Sequence, residues 1–110
     1  MQKQILELLL SKGFMFKKFT NLDMKNYTKK RTIRGFFGVD LNGYNTLIYL
    51  CSSKSKILKK DAQDFVNLDL QIQKGLEKVV KKHILFYSSD ICSKSLKLFK
   101  ESGFKIYDFV

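Results

Sequence analysis

The chain contains no proline and no tryptophan, one histidine, two cysteines, and 10 acidic residues against 21 basic ones. The missing proline and tryptophan carry no functional inference. With His83 alone and no second His or Cys at ligand spacing, there is little material for a histidine-based metal centre. Cys51 and Cys92 sit in apolar surroundings without metal-type spacing, so two free thiols in a reducing cytoplasm are expected. Cys51 has no histidine or other base nearby in the sequence and reads as a small buried hydrophobe, not a nucleophile. No GxSxG context surrounds Ser52, Ser53 or Ser55. No uncharged apolar run reaches about 18 residues, which argues against a transmembrane helix. The opening MQKQILELLLSKG is interrupted by Glu7 and is followed by no small-residue cleavage site, so it reads as an amphipathic helix and not a signal peptide.

What is present is a chain of 110 residues, 45% hydrophobic and 28% charged. That is one globular domain over residues 1–110, long enough for a real hydrophobic core. The net charge of +11 is its most informative bulk property. The excess lies in residues 1–34 and 54–82, whereas the last 28 residues are nearly balanced. Such a charge favours a polyanion by counterion release, and nucleic acid is the commonest one. The other readings are a merely basic, soluble protein and one that binds an acidic partner protein.

Residues 2–12 place Met1, Ile5, Leu8 and Leu9 on one helical face, with Gly13 as a C-terminal stop. Phe14–Phe19 is a short extended segment or a turn, and Thr20–Thr32 a polar, basic loop containing Tyr27. Two apolar β-type runs follow, Ile33–Val39 and Thr46–Cys51, separated by Asn42-Gly43, a strong hairpin signal. Over Lys59–Lys82 apolar residues recur at helical spacing, although Val66, Leu68, Leu70 and Ile72 also alternate as a strand would. Gly75 is a possible break. A straight helix there puts Asp69 on the apolar face, as a buried carboxylate or as the mark of a bend. His83–Ser88 reads as a buried strand, Asp90–Ser102 as an amphipathic helix ended by Gly103, and Phe104–Val110 as a last strand. The order α-β-β-α-β-α-β describes an α/β domain with a mixed sheet flanked by helices, its later strands parallel.

This order resembles the restriction-endonuclease-like, or PD-(D/E)xK, nuclease superfamily, in particular its Mrr-like branch and the Holliday-junction-resolvase core. Gly38-Val39-Asp40 looks like the aspartate motif on the first hairpin strand. Ser52-Ser53-Lys54 stands in the place of (D/E)xK on the second. DAQDF (Asp61–Phe65) and the run Ile84–Phe99 look like the Mrr-type continuation, so the resemblance covers residues 33–110 and a first helix.

The resemblance implies a Mg²⁺-dependent DNA nuclease, with Mn²⁺ able to substitute. Asp40, Ser52 and Lys54 are then the candidate catalytic residues. Carboxylates hold the ion that neutralises the phosphodiester transition state, and a lysine stabilises the developing charge. Ser52 departs from the pattern, since a neutral hydroxyl anchors Mg²⁺ poorly. Some members of the superfamily with SxK draw their second acid from the following helix, which nominates Asp61 or Asp64 beside Asp40 as metal ligands. Glu7 matches a first-helix acid of some relatives, but helical spacing turns it away from the apolar face. A tight turn at Asn42-Gly43 would leave Asp40 some seven residues from Ser52, over ~20 Å along the strand. As a turn residue Asp40 also suits backbone hydrogen bonding, and Lys54 a solvated position. Phosphate contacts are expected from Lys29, Lys30, Arg31 and Arg34, and from Lys56, Lys59 and Lys60. The chain is thus read as a small DNA-processing protein, with a non-catalytic nucleic-acid-binding module or an accessory subunit as alternatives, and a homodimer as a possible assembly.

Overall fold

A computed structural model describes residues 2–109, and its centre is the strand Asn45–Cys51 (β3). Every residue from Thr46 to Cys51 is buried, which requires a layer on each face of the sheet. Leu47, Tyr49 and Cys51 enter one core and Ile48 and Leu50 the other, as the two-residue period of a strand dictates. The helix Gln2–Ser11 (α1) covers the second face with Ile5 and Leu9 against Phe36, Ile84 and Phe86. The helices Lys59–Leu76 (α2) and Ser93–Glu101 (α3) cover the first, through Phe65, Leu68, Ile72 and Phe99.

Strand Ile33–Asp40 (β2) pairs antiparallel with β3, and Phe16–Leu22 (β1) lies antiparallel outside β2. On the other side Lys82–Tyr87 (β4) and Phe104–Asp108 (β5) run parallel to β3. The spatial order follows the chain, β1-β2-β3-β4-β5. The mixed sheet, its parallel half and the flanking helices are as the sequence suggests. Among the described residues no helix is long and apolar enough to cross a membrane.

Four details differ from the sequence reading or settle an alternative it leaves open. The element order gains a strand, because β1 occupies Phe16–Leu22, where the sequence suggests a short extended segment or turn over Phe14–Phe19 and then a loop. Its exposure does not alternate, since its register shifts between Phe16 and Lys18 and a bulge breaks the two-residue period. Its exposed lysines suit an edge strand. Second, α2 is helical throughout and carries Leu70 on its outer side, 54% exposed. Third, α2 stops at Leu76, with Glu77 in the left-handed region at φ 54°, before the expected Lys82. Gly75 is not its break: a Cβ there would stand 2.7 Å from the Tyr27 hydroxyl, so the glycine admits that side chain. Fourth, α3 begins at Ser93, after Asp90. Met1 and Val110, included in the sequence reading, lie outside the described residues.

Candidate nucleic-acid interface

The β2–β3 turn shows what Asp40 does. Asp40 N–H donates to the Tyr44 carbonyl at 3.1 Å, leaving Leu41, Asn42 and Gly43 as a three-residue loop with Gly43 at φ 86°. Asp40 Oδ1 accepts the backbone N–H groups of Asn42 and Tyr44, each at 2.9 Å. Its Oδ2 accepts from Lys82 Nζ at 2.7 Å. The lysine first, then the Tyr44 N–H, hold this carboxyl below the usual carboxylate range. Both oxygens are therefore engaged in closing a turn and pinning β4 to it.

The other sequence candidates lie at the opposite end of the sheet. Val39 pairs with Asn45 and Ile33 with Cys51. The two ends of the hairpin are thus six residues apart, about 20 Å at roughly 3.3 Å per residue. β3 stops at Cys51, so Ser52 and Lys54 do not share a strand face as two alternate residues would. Ser52 is fastened to the start of β2, its N–H donating to the Thr32 carbonyl at 2.8 Å. Lys54 is exposed. Across from these residues, Arg31 to Gly35 include no carboxylate.

Asp61 and Asp64 lie on α2 near that far end. Asp61 Oδ2 accepts the Leu58 N–H at 2.9 Å, capping the helix, and lines a cavity with Cys51, Ser53 and Lys56. Both aspartates line a neighbouring cavity of about 310 Å³ with Lys30. The expected set of Asp40 with Asp61 and Asp64 around one Mg²⁺ therefore does not fit: the hairpin separates Asp40 from the others, and Lys82 already occupies it. For the same reason Asp40 and Lys54 do not form one catalytic pair. Among the described residues, no three His, Cys, Asp or Glu side chains gather in a metal-holding arrangement. Glu7 is exposed, as its helical position indicated.

Asp69 is a buried carboxylate within the continuous helix α2, 3% exposed. Its Oδ2 accepts from the Tyr49 hydroxyl at 2.7 Å and faces His83 Nδ1 at 2.8 Å. Its Oδ1 accepts from Gln73 Nε2 at 2.6 Å. In this contact the carboxylate oxygen is the acceptor, so the ring donates through Nδ1–H. The His83 ring stacks on Phe104 at 5.2 Å between centroids, so the lone histidine is a core residue. Burial and the Asp69 charge push the Tyr49 hydroxyl pKa upward. The sequence had pointed to Asp69 through its place on the apolar stripe, but nothing in it named Tyr49 and His83 as partners.

The basic residues are gathered. Lys25, Lys29, Lys30, Arg31 and Arg34 surround a cavity of about 600 Å³ at the end of β1. Lys30 also lines both cavities beside α2, one of them together with Lys56. It thereby links the loop before β2 to the basic run after β3, and Lys59 and Lys60, both exposed, follow in the first turn of α2. Lys25 was not singled out in the sequence, where it looks like any loop lysine.

A mixed sheet with β1–β3 antiparallel, β3–β5 parallel and helices on both faces is the restriction-endonuclease-like fold. The apo form of EndoMS matches it with a TM-score of 0.57 at 14% identity, over 99% of this chain and 46% of that one. A repair endonuclease from Pyrococcus abyssi gives a TM-score of 0.55, also at 14% identity and over 99% and 46% of the two chains. The chain thus spans about half the length of each. No protein-family model matches the chain, and no curated protein matches it. At this identity the likeness establishes the fold alone.

Proposed function

We propose that this chain is a nucleic-acid-binding module on a nuclease fold, contacting phosphates through Lys29, Lys30, Arg31 and Arg34 together with Lys56, Lys59 and Lys60. The observation that carries this reading is the placement of Lys30 in three adjoining cavities, which joins two basic segments distant in sequence. The net charge of +11 supports the same conclusion. DNA is the favoured polymer, because a fold neighbour is a repair endonuclease. The test is fluorescence anisotropy with duplex DNA across a salt series. Four or more phosphate contacts predict a log–log slope of about −3.6 or steeper, and Lys56, Lys59 and Lys60 changed together to Gln should flatten it by up to about 2.7. A flat salt response refutes the reading.

One observation favours a second reading, Mg²⁺-dependent cleavage: Asp61 and Asp64 share a cavity with Lys30. Mg²⁺ is commonly held by one or two carboxylates plus substrate phosphates, and would there supply charge neutralisation. Incubation with supercoiled plasmid and Mg²⁺ or Mn²⁺, then EDTA, tests it. Nicking must stop with EDTA and with Asp61→Asn/Asp64→Asn, and persist in Asp40→Asn. The absence of nicking leaves the binding reading alone.

A further inference from the structure

The cavity at the end of β1 is built, not a gap left by a loose loop. β1 ends at Leu22, opposite Gly35, while β2 begins at Ile33. The chain from Asp23 to Arg31 forms an arch beyond the end of the β1–β2 ladder, its short helical turn Met24–Asn26 packed on β2, and borders the hollow there. Two side chains hold that arch in place. Met24 lies over Gly35, where any Cβ would overlap its sulfur, and Tyr27 lies over Gly75. Within the arch Asp23 Oδ1 accepts the Lys25 N–H at 3.2 Å and the Thr28 hydroxyl accepts the Lys30 N–H at 3.2 Å. The wall is therefore preorganised, which reduces the ordering cost of binding.

The lining has two parts. Half-buried Leu22 contributes apolar surface together with the edges of Met24, Ile33 and Phe36, which are 9%, 7% and 3% exposed, and the five cations stand around it against one carboxylate, Asp23, whose Oδ1 is engaged in the cap. Among the described residues, none of the five is in an ion pair. A volume of about 600 Å³ lies within the usual range for small-molecule sites. Inorganic phosphate would satisfy the cations and leave the apolar surface wet, and a nucleoside would do the reverse. A backbone diester in a duplex carries one charge on a convex surface, whereas a monoester carries nearly two at a terminus that can enter a hollow. We infer that this cavity takes a nucleoside monophosphate, its base against Leu22 and the adjoining apolar edges and its phosphate among Lys25, Lys29, Lys30, Arg31 and Arg34. The nucleotide is either free or the phosphorylated end of a strand, and only in the second case does the inference rest on the binding reading above.

Calorimetric titration of the full chain with deoxyadenosine monophosphate, deoxyadenosine and inorganic phosphate tests this. The nucleotide should bind at least about tenfold tighter than either component. Asn21→Trp, which puts a ring at the cavity without changing charge, should abolish that binding and leave duplex affinity within about twofold. Arg34→Gln, at an exposed position, should weaken the nucleotide about tenfold and serves if the tryptophan variant does not fold. Oligonucleotides with a 5′- or 3′-phosphate, with hydroxyl ends, or closed into a circle separate the sources. Preference for a phosphorylated end assigns a strand terminus, and its absence alongside nucleotide binding assigns the free nucleotide. Nucleotide binding no tighter than phosphate, or unchanged in both variants, overturns the inference. Duplex binding without nucleotide binding refutes the cavity alone; nucleotide binding without duplex binding refutes the broader reading and leaves the cavity assigned.

Discussion

Replacing Asp69 by leucine would test most directly how α2 is seated. The carboxylate takes three side-chain donors, from Tyr49, Gln73 and His83, at 2.6 to 2.8 Å. Gln73 is half-buried and can turn to water, but the Tyr49 hydroxyl sits in a residue that is 0% exposed. The His83 side chain is only 13% exposed. Removing the acceptor strands two buried donors at about 1–3 kcal/mol each, so Asp69→Leu should cost about 2–6 kcal/mol. A domain of this size has about 5–15 kcal/mol in all. Urea unfolding followed by circular dichroism should then show the midpoint falling with the slope unchanged.

Tyr49→Phe supplies the sharper half of the test, because its sign should invert. In the native background it removes one charge-assisted hydrogen bond and costs about 1.5–3 kcal/mol. In the Asp69→Leu background it removes a stranded hydroxyl and should stabilise. Exchanging Asp69, Tyr49 and His83 together for apolar residues should recover much of the loss, as replacement of whole buried polar clusters can. A cost for Asp69→Leu under about 0.5 kcal/mol, or the same sign for Tyr49→Phe in both backgrounds, would show that the cluster does not position this helix.

Two further outcomes are expected. Because Asp40 is held ionised by Lys82 and then by the Tyr44 N–H, its stabilising effect is complete above the unfolded value near ~4 and disappears as pH falls through the lower folded value. The melting-temperature gap between the native chain and Asp40→Asn should stay constant from neutral pH down to that range and close below it, and a gap independent of pH contradicts the turn-closing role. Among the thiols, the Ser95 hydroxyl and then the Ser95 N–H lower the Cys92 pKa, whereas burial raises that of Cys51. Iodoacetamide followed by peptide mass spectrometry should therefore label Cys92 first and Cys51 only on unfolding; equal rates would contradict the placement of Cys51 in the core.

The hairpin and the elements after it were legible because each announces itself locally. Asn42-Gly43 lies between two β-branched and aromatic runs, Ile84–Phe86 is apolar throughout, and Gly13 and Gly103 follow helices at positive φ. The edge strand β1 was not legible, since its bulge destroys the alternation and its exposed face is Lys, Thr and Asn, the vocabulary of a loop. The cavity was half legible: the charges of Lys29 to Arg34 can be counted, but the Met24–Gly35 and Tyr27–Gly75 contacts that make a wall of the loop join residues 11 and 48 positions apart.

The candidate catalytic residues failed for a reason that spacing cannot show. Asp40 and Ser52 stand on opposite sides of a turn, and across a hairpin proximity follows register about the turn and not sequence separation: Ile33 and Cys51, farther apart in the chain, are directly paired. Residues near the turn are close to one another, and a pair set unequally about it is divided by the length of the strands. For a β2 carboxylate to meet Ser52, it would have to stand near Thr32, whose carbonyl accepts the Ser52 N–H. That stretch holds Arg31 and Arg34 instead. At that end of the sheet β2 and the loop before it are basic, and the carboxylates Asp61 and Asp64 stand on α2 instead, which is the charge arrangement on which the proposed phosphate contacts rest.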